Sequence, residues 1–279
     1  ALLSALVLLT AVAACGDDGD DTTTTTSGAT ATTAEGSATT VADEDLAPVK
    51  VYFASNEAVA TAGRTVAVPA VGKEAVEALL AGPEGIEVEM GMTTEVPEGT
   101  ELLGLDIADG VATVDLSGDF EAGGGSLSMQ LRVAQVVFTL TQFDTVDTVE
   151  FRIDGAPVTS IGGEGIMVDG VDRSSFTNVT PAVLIESPVP GEAVSSPLEI
   201  AGMANTFEAT VNYTVTDGDG LIVTEGFTTA TAGMGTFGTF SATATFSVPT
   251  PGVGSVIGFE ISPQDGTQTN VYEVPVDIS

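Results

Sequence analysis

The chain has 279 residues, of which 40 are Asp or Glu and only 6 are Lys or Arg, so its formal net charge is −34. This charge excludes nucleic acid as a natural partner, because phosphate binding needs clustered positive charge. The chain has no His and one Cys, which removes His-activated nucleophiles, the ordinary zinc sites and any disulfide within the chain.

The first residues form an apolar run that ends in the segment Val-Ala-Ala-Cys at Cys15. The run is too short to span about 30 Å of hydrocarbon and closes on small residues, as an export signal does. The segment resembles the bacterial lipobox, in which the cysteine is acylated. We interpret residues 1–15 as a lipoprotein signal and lipobox with Cys15 as the lipidation site. The alternative is a free thiol behind an ordinary signal peptide.

Residues 16–47 contain Thr, Ala, Gly and acidic residues and almost no large apolar side chain. Such a segment cannot bury enough surface to offset the entropy of ordering it. We interpret it as a disordered linker between a membrane anchor and the folded part.

Residues 48–180 show alternating and helical apolar patterns. Alternation predicts strands at 49–53 and 64–68, and apolar spacing predicts a helix at 74–80 that Gly82 and Pro83 end.

Two alternating runs flank Asp109 and Gly110. This dipeptide predicts a hairpin, because both positions of such a turn need φ > 0.

A second helix is predicted from Ser126 to about Gln142, with Ser126 or Ser128 as its N-cap. The predicted apolar stripe contains Leu127, Leu131, Ala134 and Phe138. A strand at 149–153 follows, and the region as a whole is predicted to be an α+β domain with a mixed sheet and two helices.

Residues 181–279 have no helical pattern. Short strands are predicted at 182–186, 198–202, 210–216, 221–228, 239–248, 256–261 and 271–276. Strands of this length, separated by Pro, Gly, Asn or Asp, predict an all-β immunoglobulin-like sandwich.

Motifs in the first folded region point to a family. They are Leu79-Leu80-Ala81-Gly82-Pro83, Val114-Asp115-Leu116-Ser117, Ala134-Gln135-Val136-Val137-Phe138-Thr139-Leu140-Thr141-Gln142-Phe143 and Phe151-Arg152-Ile153-Asp154-Gly155. Together they resemble the GerMN domain of sporulation and spore-germination proteins.

Motifs in the second region point to the domain that often follows GerMN. They are Ser187-Pro188-Val189-Pro190-Gly191, Gly202-Met203-Ala204-Asn205-Thr206-Phe207-Glu208-Ala209 and Glu225-Gly226-Phe227-Thr228-Thr229-Ala230-Thr231-Ala232-Gly233. They resemble the immunoglobulin-like Gmad2 domain of spore germination. The resemblance implies an assembly or sensing module of the envelope and carries no catalytic residues to this chain.

Five residues are candidates for binding. Asp115 and Ser117 end a predicted strand, where they either bind a ligand or cap the next turn through side-chain to backbone hydrogen bonds. Asn205, Phe207 and Glu208 either form a binding edge or a turn whose phenylalanine fills the core, and we favour the core.

Asp217 and Asp219 lie in an Asp-Gly-Asp-Gly segment that resembles the first half of a calcium loop. Position 228, where the bidentate Glu would stand, is Thr228. A tight hairpin turn is therefore the preferred interpretation, and no cofactor is predicted.

These patterns favour a non-enzymatic protein, lipid-anchored on the outer face of the cell membrane, whose partner is an envelope protein or a cell-wall polymer. The alternative is an envelope hydrolase that acts on peptidoglycan or glycan through acidic residues, although Trp is absent and only three Tyr are present. The acidity itself fits either a surface solvated for a salty habitat or a face for cations or basic partners.

Overall fold

The structure is a computed structural model that describes residues 45–163 and 165–279. The predicted signal, the lipidation site Cys15 and the predicted linker up to residue 44 lie outside the described residues. The first strand begins at Leu46, inside the segment predicted as linker.

The helices and strands are numbered in chain order. The helices are α1 (Val71–Ala81), α2 (Ile86–Glu89) and α3 (Ser126–Leu140). The strands are β1 (Leu46–Ser55), β2 (Ala58–Ala67), β3 (Leu102–Ala108), β4 (Gly110–Leu116), β5 (Val146–Ile153), β6 (Ala156–Val158), β7 (Ser160–Ile161), β8 (Ile166–Met167), β9 (Val183–Ser187), β10 (Ala193–Val194), β11 (Leu198–Ala204), β12 (Thr210–Thr216), β13 (Ile222–Thr229), β14 (Gly238–Ala244), β15 (Gly252–Ile261) and β16 (Gln268–Ile278).

The first domain contains a mixed sheet and two main helices, as predicted. Four strands lie in the order β3-β4-β5-β6. β4 and β5 are parallel, because α3 supplies the crossover that a parallel pair requires. β1 and β2 form a separate antiparallel pair. The predicted hairpin is confirmed: Asp109 has φ 51° and Gly110 has φ 83°.

The long helix α3 is buried on nearly every side from Met129 to Leu140. β1, α1, β5 and the 3-10 segment Arg173–Val179 all pack around it. The predicted serine cap is wrong, because Gly125 occupies the N-cap position and the helix begins at Ser126. Leu127 is also outside the stripe, since 40% of it is exposed.

The second domain is a sandwich of two sheets. One has the order β10-β16-β15-β12-β13 and the other β14-β11-β9. All seven predicted strands are present, and the short β10, which pairs in parallel with the end of β16, was not predicted. Inward-facing Val and Ile side chains fill the space between the sheets, so the predicted immunoglobulin-like class is confirmed.

Candidate functional site

The outer edge of β1 is closed by polar side chains of α3 and the loop after it. Gln142 pairs with both backbone groups of Lys50, accepting from its N–H at 2.7 Å and donating to its C=O at 2.6 Å. The backbone N–H of Tyr52 likewise donates to the Thr139 hydroxyl at 3.3 Å, and its C=O accepts from the Gln135 side chain at 3.1 Å. Together with the backbone bridge between Ala54 and Thr93, these polar side chains complete the hydrogen bonding of the outer edge of β1.

A largely buried cluster of three side chains joins the two domains. Tyr52 comes from β1, Arg173 begins the 3-10 segment after β8, and Glu186 lies in β9 of the sandwich. The Arg173 Nη1 donates to Glu186 Oε1 at 2.7 Å, and its Nη2 donates to the Tyr52 hydroxyl at 3.1 Å. The Tyr52 hydroxyl in turn donates to the Glu186 carboxylate, so each member contacts the other two.

Other groups of the first domain fix the Arg173 guanidinium. Its Nε donates to the Thr141 hydroxyl at 2.9 Å and its Nη2 donates to the Phe138 carbonyl at 3.1 Å. The guanidinium carbon lies 4.8 Å from the Phe138 ring centroid and 5.2 Å from that of Tyr52, which adds cation–π attraction. The arginine is therefore held in one position, from which it reaches across to Glu186.

Burial and mutual contact set the charges of the cluster. Burial raises the pKa of the Tyr52 hydroxyl well above its usual value, and the neighbouring Glu186 carboxylate acts in the same direction. Burial alone would raise the pKa of Glu186, but the Arg173 charge and the Tyr52 hydroxyl hold it below its usual value. The cluster is thus an ion pair with a neutral tyrosine, and its polar groups are engaged with one another.

A second contact between the domains uses another tyrosine. The Tyr272 hydroxyl in β16 accepts a hydrogen bond from the Thr61 N–H in β2 at 3.0 Å. Val189, in the loop after β9, also packs so closely on β2 that a Cβ at Gly63 would lie 2.6 Å from its side chain. Polar and steric contacts together fix the sandwich on the β1–β2 pair.

Two grooves flank this junction. One, of about 660 Å³, is lined by Met90 and Met92 from the first domain and by Val271 and Tyr272 from the second. The other, of about 820 Å³, lies beside Lys50 and is lined by residues of both domains. Both grooves are thus lined by residues of the two domains.

Like Arg173, Arg64 and Arg132 are largely withdrawn from solvent and donate hydrogen bonds inside the protein. Arg64 pairs with the buried Glu87 carboxylate, with one contact at 2.8 Å. Arg132 is buried and donates to the carbonyls of Glu95 at 2.8 Å and Phe120 at 2.6 Å. Sequence reasoning missed all three arginines, and the available signal was their rarity in so acidic a chain.

Asp115 and Ser117 bond the backbone of neighbouring segments. The Asp115 Oδ1 accepts from the Gly155 N–H at 2.9 Å in the β5–β6 turn. The Ser117 Oγ accepts from the Glu101 N–H at 3.0 Å. Both side chains thus form side-chain to backbone hydrogen bonds, the kind expected of caps, but their partners are distant in sequence.

The residues at 205–208 form a turn between β11 and β12. Asn205 accepts from the Gly235 N–H at 2.7 Å, and Glu208 has a left-handed φ of 54°. The expectation that Phe207 fills the core is wrong, because 43% of it is exposed. Its N–H donates to Glu260 at 2.6 Å, which holds its backbone in the turn.

The Asp217 and Asp219 segment is the turn of the β12–β13 hairpin, as preferred from sequence. Asp217 is buried, and its Oδ1 accepts from the N–H groups of Asp219 at 3.1 Å and Leu221 at 3.0 Å. Asp219 accepts from the Thr250 hydroxyl at 2.9 Å. Within residues 45–163 and 165–279, no group of three or more acidic or other metal-ligating residues is placed to hold an ion.

The fold and the junction define a class of two-domain protein, in which buried contacts join an α+β module to an immunoglobulin-like sandwich. Residues 50–159 match the family model Germane, described as "Sporulation and spore germination". Residues 182–267 match Gmad2, described as "Immunoglobulin-like domain of bacterial spore germination". The chain therefore carries a GerMN domain of the Germane family followed by a Gmad2 domain, which confirms the family expected from its motifs.

Several solved structures are similar to parts of the chain. A candidate lipoprotein from Clostridium perfringens is 20% identical over 50% of this chain and 98% of its own, with a TM-score of 0.36. The first GerMN domain of the sporulation protein GerM from Bacillus subtilis is 24% identical over 46% and 98%, with a TM-score of 0.37. The tandem GerMN domains of that protein are 17% identical over 71% and 61%, with a TM-score of 0.38.

Comparison with curated protein sequences finds no match. In the part of the chain that the structure describes, no helix has the length and apolar character needed to cross a membrane.

Proposed function

We propose that this protein is a lipid-anchored component of the cell envelope that binds another envelope component on the outer side of the membrane and catalyses no reaction. The observation that carries the proposal is the locked junction of Tyr52, Arg173 and Glu186. Three elements from two domains meet there in one arrangement, so the surfaces of both domains keep a fixed relation to each other. A partner that contacts both domains gains from this preorganisation, because little ordering entropy is lost on binding.

The chemistry of the buried groups supports binding rather than catalysis. A general acid or base must exchange a proton with a substrate within hydrogen-bond reach. At the junction, the hydroxyl and carboxylate are bonded to Arg173 and to each other, and they are largely withdrawn from solvent. The sequence offers no His, and its one Cys is the proposed lipid acceptor.

The proposed anchor rests on the lipobox at Cys15. Acyl chains on this thiol hold the protein on the membrane, because each buried CH₂ contributes roughly 0.8 kcal/mol. The two domain families, both described by sporulation or germination, support a partner in the envelope. We propose an envelope protein or a cell-wall polymer as that partner.

The anchor is tested by metabolic labelling with a fatty acid and by membrane fractionation. We expect label on the full chain and its recovery with membranes, and expect Cys15→Ser to lose both. Wild-type protein found unlabelled in the cytosol would refute the anchor.

Binding is tested by cross-linking in cells that express the full chain. We expect a defined complex that is weakened when Arg173→Met loosens the junction but kept at its full yield in the exposed control Arg152→Met. The rival hydrolase is tested by incubating the purified chain with peptidoglycan, and the release of soluble fragments would overturn the proposed function.

A further inference from the structure

The strand β13 ends the five-stranded sheet of the sandwich and has a free edge. At the two ends of the β12–β13 pair, the Asp217 N–H donates to the Leu221 carbonyl at 2.9 Å and the Ala230 N–H donates to the Ala209 carbonyl at 2.8 Å. Backbone groups alternate in direction along a strand. The backbone groups of Glu225, Phe227 and Thr229 therefore point away from β12.

These outward groups have no partner in the part of the chain that the structure describes. The N–H and C=O of Glu225, Phe227 and Thr229 make no hydrogen bond outside the sheet. All three residues are exposed, and 72% of Phe227 is exposed. The backbone of the edge is thus unpaired at these three residues, while β14 comes near the C-terminal end of β13, where the Thr228 hydroxyl donates to the Ser241 carbonyl at 2.8 Å.

Proteins usually protect such edges with Lys, Pro, a covering element or a bulge. β13 has neither Lys nor Pro, and its bulge lies at its beginning, opposite Val215 and Thr216. The contrast within this molecule is β1, whose edge is closed by Gln135, Thr139 and Gln142. The same chain therefore closes one edge and leaves the backbone of the other unpaired at Glu225, Phe227 and Thr229.

Charge restricts what can add to this edge. Residues 182–279 contain 11 Asp or Glu and no Lys or Arg. A second copy of the sandwich would bring the same negative charge to the edge, and like charges opposite one another destabilise a pair of strands. A segment with positive charge is favoured by the whole field of the domain.

We propose that the free edge of β13 receives an extended, basic segment of a partner polypeptide, which adds as a sixth strand. Main-chain hydrogen bonds to Glu225, Phe227 and Thr229 give the affinity, as in other cases of strand addition. An apolar side chain of the partner lies beside Phe227, and two residues along it a Lys or Arg lies beside Glu225. This inference rests on the proposed binding function and names its edge and the chemistry of its partner.

The test uses the full chain and two short synthetic peptides of alternating Thr and Val, one with a central Ile-Thr-Lys and one with Ile-Thr-Glu. We expect the Lys peptide to bind and to slow amide hydrogen exchange at 225, 227 and 229 but not in β3. The Glu peptide is expected to bind about fivefold more weakly, the upper range for a cross-strand charge pair. Equal binding of the two peptides, or no slowed exchange in β13, would overturn the proposal.

The matched variants are Thr229→Pro and Thr229→Val. Proline removes the outward N–H and leaves the bonds to β12, so we expect about fivefold weaker binding of the Lys peptide, whereas valine keeps the N–H and the affinity. Glu225→Lys, which retains every backbone group, should reverse the preference between the peptides even if the proline variant misfolds. Unchanged preference would refute the charge contact, and self-association of the chain through β13 would refute the choice of partner.

A cross-linking amino acid at position 227 separates failure of this inference from failure of the proposed function. We expect a complex in cells from position 227 and none from the exposed control position 127. A complex formed from other positions but not from 227 would reject the β13 edge alone. No complex from any position would reject the binding function as well.

Discussion

Replacing Arg173 by Met tests whether the buried junction holds the domains together. The substitution keeps an unbranched apolar side chain but removes the charge, so the Glu186 carboxylate stays buried without its counter-ion. Breaking a buried ion pair from one side costs about 3–5 kcal/mol. A whole domain has a stability of about 5–15 kcal/mol, so the single variant should lose a large part of it.

A double variant separates the ion pair from general disruption. Arg173→Met with Glu186→Leu removes both charges and leaves no buried carboxylate. Because apolar replacement of a buried pair is often neutral, we expect the double variant to recover most of the loss, to within about 2 kcal/mol of the wild type. The control Arg152→Met lies on the exposed face of β5 and should change stability by less than about 0.5 kcal/mol.

The assay is urea unfolding followed by circular dichroism and by tyrosine fluorescence. Two of the three tyrosines, Tyr52 and Tyr272, lie at the junction, so fluorescence reports on it directly. The reasoning is refuted if Arg173→Met costs less than about 1 kcal/mol, which is the value of an exposed pair. It is also refuted if the double variant is no more stable than the single one.

Further predictions concern pH and close packing. The pKa of Glu186 is lower in the folded than in the unfolded chain. Its contribution to stability is therefore present above pH 4.5 and should fade as the pH falls through the lowered value. Urea unfolding midpoints measured at acid pH check this prediction. Burial raises the pKa of Tyr272 to about 12, so its contribution should be lost as the pH rises from 10 towards 12, and Tyr272→Phe should flatten that limb of the curve. Gly202→Ala should destabilise by about 1–3 kcal/mol in thermal unfolding, because its Cβ would lie 2.0 Å from the Leu184 carbonyl oxygen. Gly104→Ala, whose Cβ would meet its nearest atom at 3.8 Å, should change stability by less than about 1 kcal/mol, and an equal loss in both glycine variants would contradict the packing argument.

Local chemistry made most of the fold predictable. The Asp109–Gly110 turn follows from two residues that tolerate φ > 0. The C-terminal end of α1 follows from Gly82, although the helix begins at Val71, before the predicted start at residue 74. The strands of the sandwich follow from alternation and from the Pro and Gly that separate them. In each case the signal lies within a few residues of the element that it specifies.

The junction was not predictable because its partners are distant in sequence. Tyr52 and Glu186 are 134 residues apart, and no local pattern relates them. Gln135 and Thr139 interrupt an apolar helix, but their role appears only when β1 lies beside them. Phe207 was misplaced because Glu208 and Ala209 both adopt φ > 0, and the sequence pattern gives no sign of this turn.

The internal use of arginine leaves few exposed positive charges among the acids of the surface. Arg132 is buried, and the side chains of Arg64 and Arg173 are only 12% and 20% exposed, each paired with an acid. Lys73 is exposed but pairs with Glu77 at 2.9 Å. Little unpaired positive charge is therefore left to offset the acids that face solvent. The negative field attracts a basic partner segment before the segment contacts β13, so the association rate should fall steeply as salt is added. Removal of an outward N–H from β13 should instead act mainly on the dissociation rate.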